Sequence, residues 1–242
     1  MASVEQHYEN LLAPIYLWMA GGIDLAVAEG ANDIAPFIPG HSVNPIAVDL
    51  GAGFGMHAIP LARSGYAVTA IDTSDVLLGE LKRHAGGLSI RAIHGDMRNF
   101  REYVFSKADL ILCMGDTIAH LQELEDVERL LEQVAGALAP EGRVVITFRD
   151  HSSPLQGDAR FIPVRSDSDR IHTCYLEEAG EHIVVHDLLY ERESTSWRFR
   201  VSSYKKLRVA SKWMLDALDR VGLKAVAAAG PRGMVRVVAS AA

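Results

Sequence analysis

The stretch VDLGAGFGM, residues 48–56, decides the fold. Three glycines, Gly51, Gly53 and Gly55, follow a short apolar run within five positions. Without Cβ atoms the backbone turns sharply there and lets a ligand come close. The run before them, IAVDL, reads as a short buried strand. Residues 56–64 read as a helix with Pro60 near its first turn. YAVTAID is a second strand, closed by Asp72. Ser74 caps a helix that runs to about Ala85 and ends at Gly86-Gly87. SIRAIHGD is a third strand. ADLILCMGD is a fourth, apolar on both faces as a covered parallel strand should be. Residues 124–138 carry leucine and valine at helical steps, Pro140-Glu141-Gly142 reads as a turn, and RVVITFRD is a fifth strand. Strand and helix alternate with short links. That pattern predicts an α/β fold with a doubly wound, mostly parallel sheet and a ligand at the carboxyl ends of its strands.

Outward from this core the pattern changes. Residues 5–29 place Leu11, Leu12, Ile15, Leu17, Trp18, Leu25 and Val27 at helical spacing, broken by Pro14 and Gly21-Gly22, which predicts two or more short helices. Residues 150–207 alternate in strand fashion, with turn signals at Gly180 and Ser194-Thr195-Ser196, and predict an antiparallel β insertion. A final helix at 211–221 and strands at 224–229 and 233–239 return to the core. The expected organisation is one domain, 1–242, with N-terminal lid helices (1–45), a cofactor-binding core (46–150), the β insertion on the acceptor side (151–207) and a closing helix with two strands (208–242).

Composition narrows the function. The 242 residues are 49% hydrophobic, enough for a full core. The formal charge is −7, and no stretch combines Lys and Arg with aromatics, which disfavours nucleic acid as a partner. No apolar run approaches the roughly 18 residues that span a bilayer. The N-terminus lacks the pattern of a signal peptide. Cys113 and Cys174 sit in strand-like surroundings and read as buried thiols, which suits a cytoplasmic compartment. His182 and His186, four apart, are too few for a metal site, and none is expected.

The glycine loop admits two cofactors. A dinucleotide loop reads G-x-G-x-x-G and seats a pyrophosphate on the helix N-terminus. Here the spacing is G-x-G-x-G, and Asp49 lies in the strand just before it. An acid repels pyrophosphate and favours a cation. S-adenosylmethionine, with an amine and a sulfonium and no phosphate, fits that acid. Asp72, 23 positions on, closes the second strand and can accept from both ribose hydroxyls. Asp96 after the third strand can accept from the adenine amine or cap the turn that follows, and Met97 can pack on the ring.

VDLGAGFGM, AIDTS, HGDM and DLILCMGDTIAHL, in that order, resemble the class I S-adenosylmethionine-dependent methyltransferases of small-molecule type. The resemblance implies a seven-stranded sheet with its last strand antiparallel. It implies Asp49 near the methionine amine through the loop, Asp72 at the ribose, and Asp96 with Met97 at the adenine. The candidate cofactor set is Asp49, Gly51, Ala52, Gly53, Gly55, Met56, Asp72, Thr73, Asp96, Met97, Cys113 and Met114. GDTIAHL is similar to a segment of glycine N-methyltransferase-like enzymes, whose fifth strand ends in an arginine that pairs with the acceptor's carboxylate. Arg149 stands there, and Asp116 departs from that family's asparagine in favour of a cationic or amine acceptor. His120 and Asp116 are the catalytic candidates. Tyr8, Tyr16, Asp116, Thr117 and Arg149 are the acceptor-binding candidates, with Trp18 joining the tyrosines in a lid. The basic residues of 192–208 read as a solvated strand edge. The expected function is methylation of a small molecule at nitrogen or oxygen, with S-adenosylhomocysteine as product, no membrane, and a dimer through the insertion's open edges. Methylation of a macromolecule, and binding of the cofactor without turnover, are the alternatives.

Overall fold

The computed structural model describes residues 2–38 and 43–241. The chain begins with α1 (Val4–His7), a π turn at Tyr8–Leu12, a 3-10 turn at Ala13–Ile15, α2 (Tyr16–Met19) and α3 (Ile23–Ile34). Ser3 and Gln6 cap α1 reciprocally, each side chain bonding the other's backbone N–H. Pro14 and the left-handed Gly21 and Gly22 make the breaks expected of them.

The core follows as β1 (Ile46–Leu50), α4 (Ala58–Arg63), β2 (Ala67–Asp72), α5 (Asp75–His84), β3 (Ile90–His94), β4 (Ala108–Cys113), α6 (Leu124–Ala137) and β5 (Leu138–Phe148). Ser74 accepts from Leu77 N at the start of α5. α4 begins later than its apolar pattern suggests because the glycine turns occupy residues 51–57; Pro60 then falls in the first turn, where no N–H partner is missed. The expected turn at 140–142 survives as a bulge inside β5. Ala108 pairs with Leu138 and Leu110 with Arg143, so residues 139–142 loop out.

The insertion is a four-stranded antiparallel meander: β6 (Phe161–Ser166), β7 (Arg170–Ala179), β8 (His182–Glu193) and β9 (Ser196–Leu207). α7 (Ser211–Arg220), β10 (Leu223–Ala229) and β11 (Val235–Ala241) close the chain. The main sheet runs β10-β11-β5-β4-β1-β2-β3. β11 is antiparallel to both neighbours, and the pairs β5–β4, β4–β1, β1–β2 and β2–β3 are parallel. The strand order reverses between β1 and β4, which opens a crevice at their carboxyl ends.

Two apolar layers bury the sheet. Val48, Leu50 and Ile111 pack on one face with α6 and α7, and Ala47, Ala70 and Leu110 on the other with α3 and α4. Asp49 shares the second face, so its carboxylate is carried beneath the loop. Among the described residues no single helix is long and apolar enough to cross a membrane.

The N-terminal segment is fastened across the crevice by the insertion. His7, fully buried, bonds Asp187 Oδ2 through Nε2 at 2.8 Å and Ser202 Oγ through Nδ1 at 2.8 Å, and its ring lies 4.3 Å from that of Tyr204. Asp187 also receives His172 Nε2 at 2.7 Å and Cys174 Sγ at 2.8 Å. Burial opposes the charge on Asp187, but these donors hold its carboxyl well below the usual range. Trp18 donates to Asp167 Oδ2 at 2.5 Å, so it docks the lid to the insertion and lies away from the cavity.

Candidate active site

A cavity of about 320 Å³ lies at the carboxyl ends of β1 to β4, within the size range of small-ligand sites. Gly51, Ala52, Gly53 and Met56 form its floor, Asp72 and Thr73 one side, and Asp96 and Met97 the far end. Met114 and Thr117 form the opposite side, and Tyr8, Glu9 and Tyr16 the roof.

The loop requires its glycines. Gly51 has φ +71°, and a Cβ on it would lie 2.2 Å from Thr117 Cγ2 across the crevice. Gly51→Ala should therefore cost about 1–3 kcal/mol of local strain. The expected result in calorimetry is at least tenfold weaker S-adenosylhomocysteine binding; an unchanged Kd would show that the loop can accept a side chain. Gly30 of α3 is needed for a different reason, since a Cβ there would meet the Met56 carbonyl oxygen at 1.9 Å.

The three acids take distinct positions. Asp72 receives Gly53 N on Oδ2 at 2.7 Å and Ser74 N on Oδ1 at 2.8 Å, tying the end of β2 to the loop. Burial raises its carboxyl and these backbone bonds oppose the rise. Asp96 caps its turn through Arg98 N at 2.8 Å and binds Arg98 Nε at 2.8 Å, while facing the cavity. Asp49, 1% exposed, lies under the loop and outside the cavity wall. Its Oδ2 is enclosed without a partner. Burial pushes its carboxyl up to about 6, against the pull of His57. Gly55 and Cys113 also stand behind the wall. Gly55 (φ +93°) packs against Leu81, and Cys113 is 2% exposed.

Tyr8, Tyr16, Thr117 and His120, candidates by sequence for the acceptor side, meet at the cavity. The rings of Tyr8 and Tyr16 stack at 6.0 Å, and Tyr8 Oη lies 3.5 Å from His120 Nε2. Burial and the nearby Lys206 charge lower the His120 imidazole to about 3.

Asp116 and Arg149 do not reach the cavity wall. Asp116 is 4% exposed, with its backbone left-handed at φ +72°. Its Oδ2 pairs with Lys206 Nζ at 2.6 Å, and its Oδ1 accepts Arg149 N at 2.9 Å. The lone acid of GDTIAHL thus faces a cation from β9. Lys206, grouped by sequence with a solvated edge, turns inward for that pairing. Arg200 binds Glu191 at 3.4 Å and Arg208 the His151 carbonyl at 2.7 Å, whereas Arg192, Arg198 and Lys205 stay exposed on the strand edge. His182 bonds the Gln122 carbonyl at 2.9 Å and His186 bonds Glu177 at 3.1 Å.

Sequence reading missed Glu9, Phe54, Arg98 and Gln122 in the wall. The S-x-x-Q pair at Ser3 and Gln6 signals a helix start just before Glu9, but nothing local shows which way that helix faces.

The residues fit S-adenosylmethionine. An enclosed carboxylate oxygen beneath the loop, Asp49 Oδ2, lacks a partner, and Arg98 is the one lysine or arginine on the wall among the described residues. Such a site favours a cationic, phosphate-free ligand.

Residues 47–142 match the model of a family described as a methyltransferase domain. The glycine/sarcosine N-methyltransferase of Aphanothece halophytica is 26% identical over 106 residues, 43% of this chain and 40% of that protein. A dTDP-3-amino-3,6-dideoxy-alpha-D-glucopyranose N,N-dimethyltransferase of Streptomyces fradiae is 27% identical over 146 residues, 60% of this chain and 56% of that protein. The chain thus spans about two-fifths to just over half of these relatives. Among solved structures, the CcbJ methyltransferase of Streptomyces caelestis superposes with a TM-score of 0.79 at 17% identity, over 98% of this chain and 99% of that one. DesVI of Streptomyces venezuelae superposes with a TM-score of 0.78 at 19% identity, over 95% and 98%. At these identities the structural likeness carries the fold, and the domain match covers the loop and all three strand-end acids. The strand order agrees with both: residues 47–142 match a methyltransferase domain, and the chain has the fold of S-adenosylmethionine-dependent methyltransferases.

Proposed function

We propose that the protein is an enzyme that methylates a small molecule at nitrogen, as one domain in which residues 1–45 and 151–207 form the acceptor side. The observation that carries this reading is one roofed cavity, continuous from Asp72, Asp96 and Met97 to Tyr8, Thr117 and His120. Relatives named for glycine, sarcosine and an amino sugar support nitrogen as the target. A cavity of this size suits a compact acceptor.

S-adenosylmethionine, held by Asp72 and the glycine loop, would supply an electrophilic methyl to the amine lone pair; the S–CH3 electron pair would stay on sulfur and the methylated amine would lose a proton to water. The chain's own groups orient and shield. Asp72 and the loop hold the adenosine end, and Tyr8 and Tyr16 close the roof. His120, neutral at any physiological pH, accepts a hydrogen bond at Nε2 and positions the acceptor's N–H. With its imidazole lowered to about 3 it is too weak a base to carry an ammonium proton. The amine therefore enters already neutral.

Asp49 makes cofactor binding pH-dependent. Its raised carboxyl is protonated below about pH 6, and only the anion attracts a cation. Affinity for S-adenosylmethionine should fall as pH drops through that value, by at most about tenfold per unit. Calorimetry from pH 5 to 8 tests it, with Asp49→Asn expected to flatten the profile; a flat wild-type profile refutes the assignment.

The decisive experiment is a screen of amines, phenols and acids with methyl-labelled cofactor. Label transferred to amines supports the reading. Transfer to phenols alone, or tight S-adenosylhomocysteine binding with no acceptor of any class, sinks it.

A further inference from the structure

Building on that reading, we infer that the acceptor is a hydroxylated amine without a carboxylate, and that Glu9 selects it. The argument is an account of donors and acceptors around the cavity. Glu9 sits on the π turn Tyr8–Leu12 in the roof, and its Oε1 is enclosed with no hydrogen-bond partner. A carboxylate oxygen left so is costly and seeks a donor. His120 Nε2, in an imidazole held neutral, offers a second acceptor site, met only by the long contact from Tyr8.

Several of the wall's donors are already used. Arg98 gives Nε to Asp96 at 2.8 Å, Thr117 Oγ1 donates to the Met114 carbonyl at 2.7 Å, and Gly115 N donates to Thr147 Oγ1 at 2.8 Å. Lys206 is held by Asp116, and Arg149 does not line the cavity. Glu5, Glu9, Asp72 and Asp96 also make the wall acidic.

An acceptor's hydroxyl and amine N–H groups supply donors to these two acceptor atoms. A carboxylate accepts only and carries a charge of the same sign. It would enter facing acids, with Arg98 already held by Asp96, which is how a site rejects a competitor of similar size. Glycine-like acceptors are therefore excluded by electrostatics, not by volume.

Matched pairs that differ at one group test this: serinol against serine, and glucosamine against its uronic acid, with methyl-labelled cofactor and the full chain. The expected result is that at least one amino alcohol is methylated, with kcat/KM at least tenfold above its carboxylate partner. Glu9→Gln should narrow that ratio at least threefold, chiefly through KM. The inference is overturned if the carboxylate member is equal or preferred, if Glu9→Gln leaves the ratio unchanged, or if no hydroxylated amine is methylated while other amines are. S-adenosylhomocysteine binding, measured by calorimetry on both proteins, reports the cofactor half separately. Its absence in the wild type would bring down the methyltransferase reading, whereas its presence with the wrong acceptor preference would bring down only this one.

Discussion

Lys206→Met will destabilise the protein by about 3–5 kcal/mol, the usual result of removing one partner from a buried ion pair. The Asp116 side chain is 5% exposed and that of Lys206 15%, so solvent does little to screen the loss. In a chain of this size the melting temperature should fall by roughly 10 °C. Burial alone would raise the Asp116 carboxyl, but the Lys206 charge and hydrogen bond, with the Arg149 backbone bond, hold it below its ordinary value. A depressed acid contributes stability that is present above its unfolded value, about 4, and is lost as pH falls through the lower folded one. The variant should lose that acid dependence together with its stability. The double variant Asp116→Asn, Lys206→Met should recover most of the loss, because no lone charge is then buried. Thermal melts of these two variants and of the single variant Asp116→Asn complete the cycle. A drop below about 1 kcal/mol in Lys206→Met would mean that the pair is solvated and contributes as little as a surface ion pair.

Asp72→Ala will weaken S-adenosylhomocysteine binding on the order of 100-fold, or about 2.7 kcal/mol. Two losses add. The ribose hydroxyls lose their expected acceptor, and Gly53 N and Ser74 N lose the carboxylate that fixes the loop. Bonds to charged groups contribute about 1.5–3 kcal/mol each. The loop share should appear as a lower melting temperature even without ligand, and Asp72→Asn, which keeps one acceptor oxygen, should fall between. Calorimetry on folded protein reads the affinity, and an unchanged Kd in the alanine variant would remove Asp72 from the site.

The legible parts of the molecule are those set by neighbours in sequence. Period-two and helical patterns, Ser74 as a cap and Gly86-Gly87 as a stop are local effects, and elements predicted from them match the structure to within a few residues. The exceptions have local physics too. α4 starts late because three positive-φ glycines hold the loop open, and β5 runs through its expected turn because the turn became a bulge against Ala108.

The site divides in the same way. The part of the wall built from strand ends was legible in the sequence, because each strand of a doubly wound sheet delivers its last residues to one crevice. Gly51, Gly53, Asp72, Asp96, Met97 and Met114 all line one cavity for that reason. Its acceptor side was not, because that side is made by groups far apart in the chain. Asp116 is turned from acceptor contact to ion-pair partner by Lys206, 90 residues away. The same lysine, with burial, makes His120 a hydrogen-bond acceptor instead of a base. Glu9 becomes a wall residue only because His7 fastens its segment to Asp187, 180 residues on. Spacing along a strand determined which residues of the core line the cavity, whereas the charges and donors brought to it from the N-terminal segment and the insertion depend on burial and long-range pairing, which only the folded chain decides.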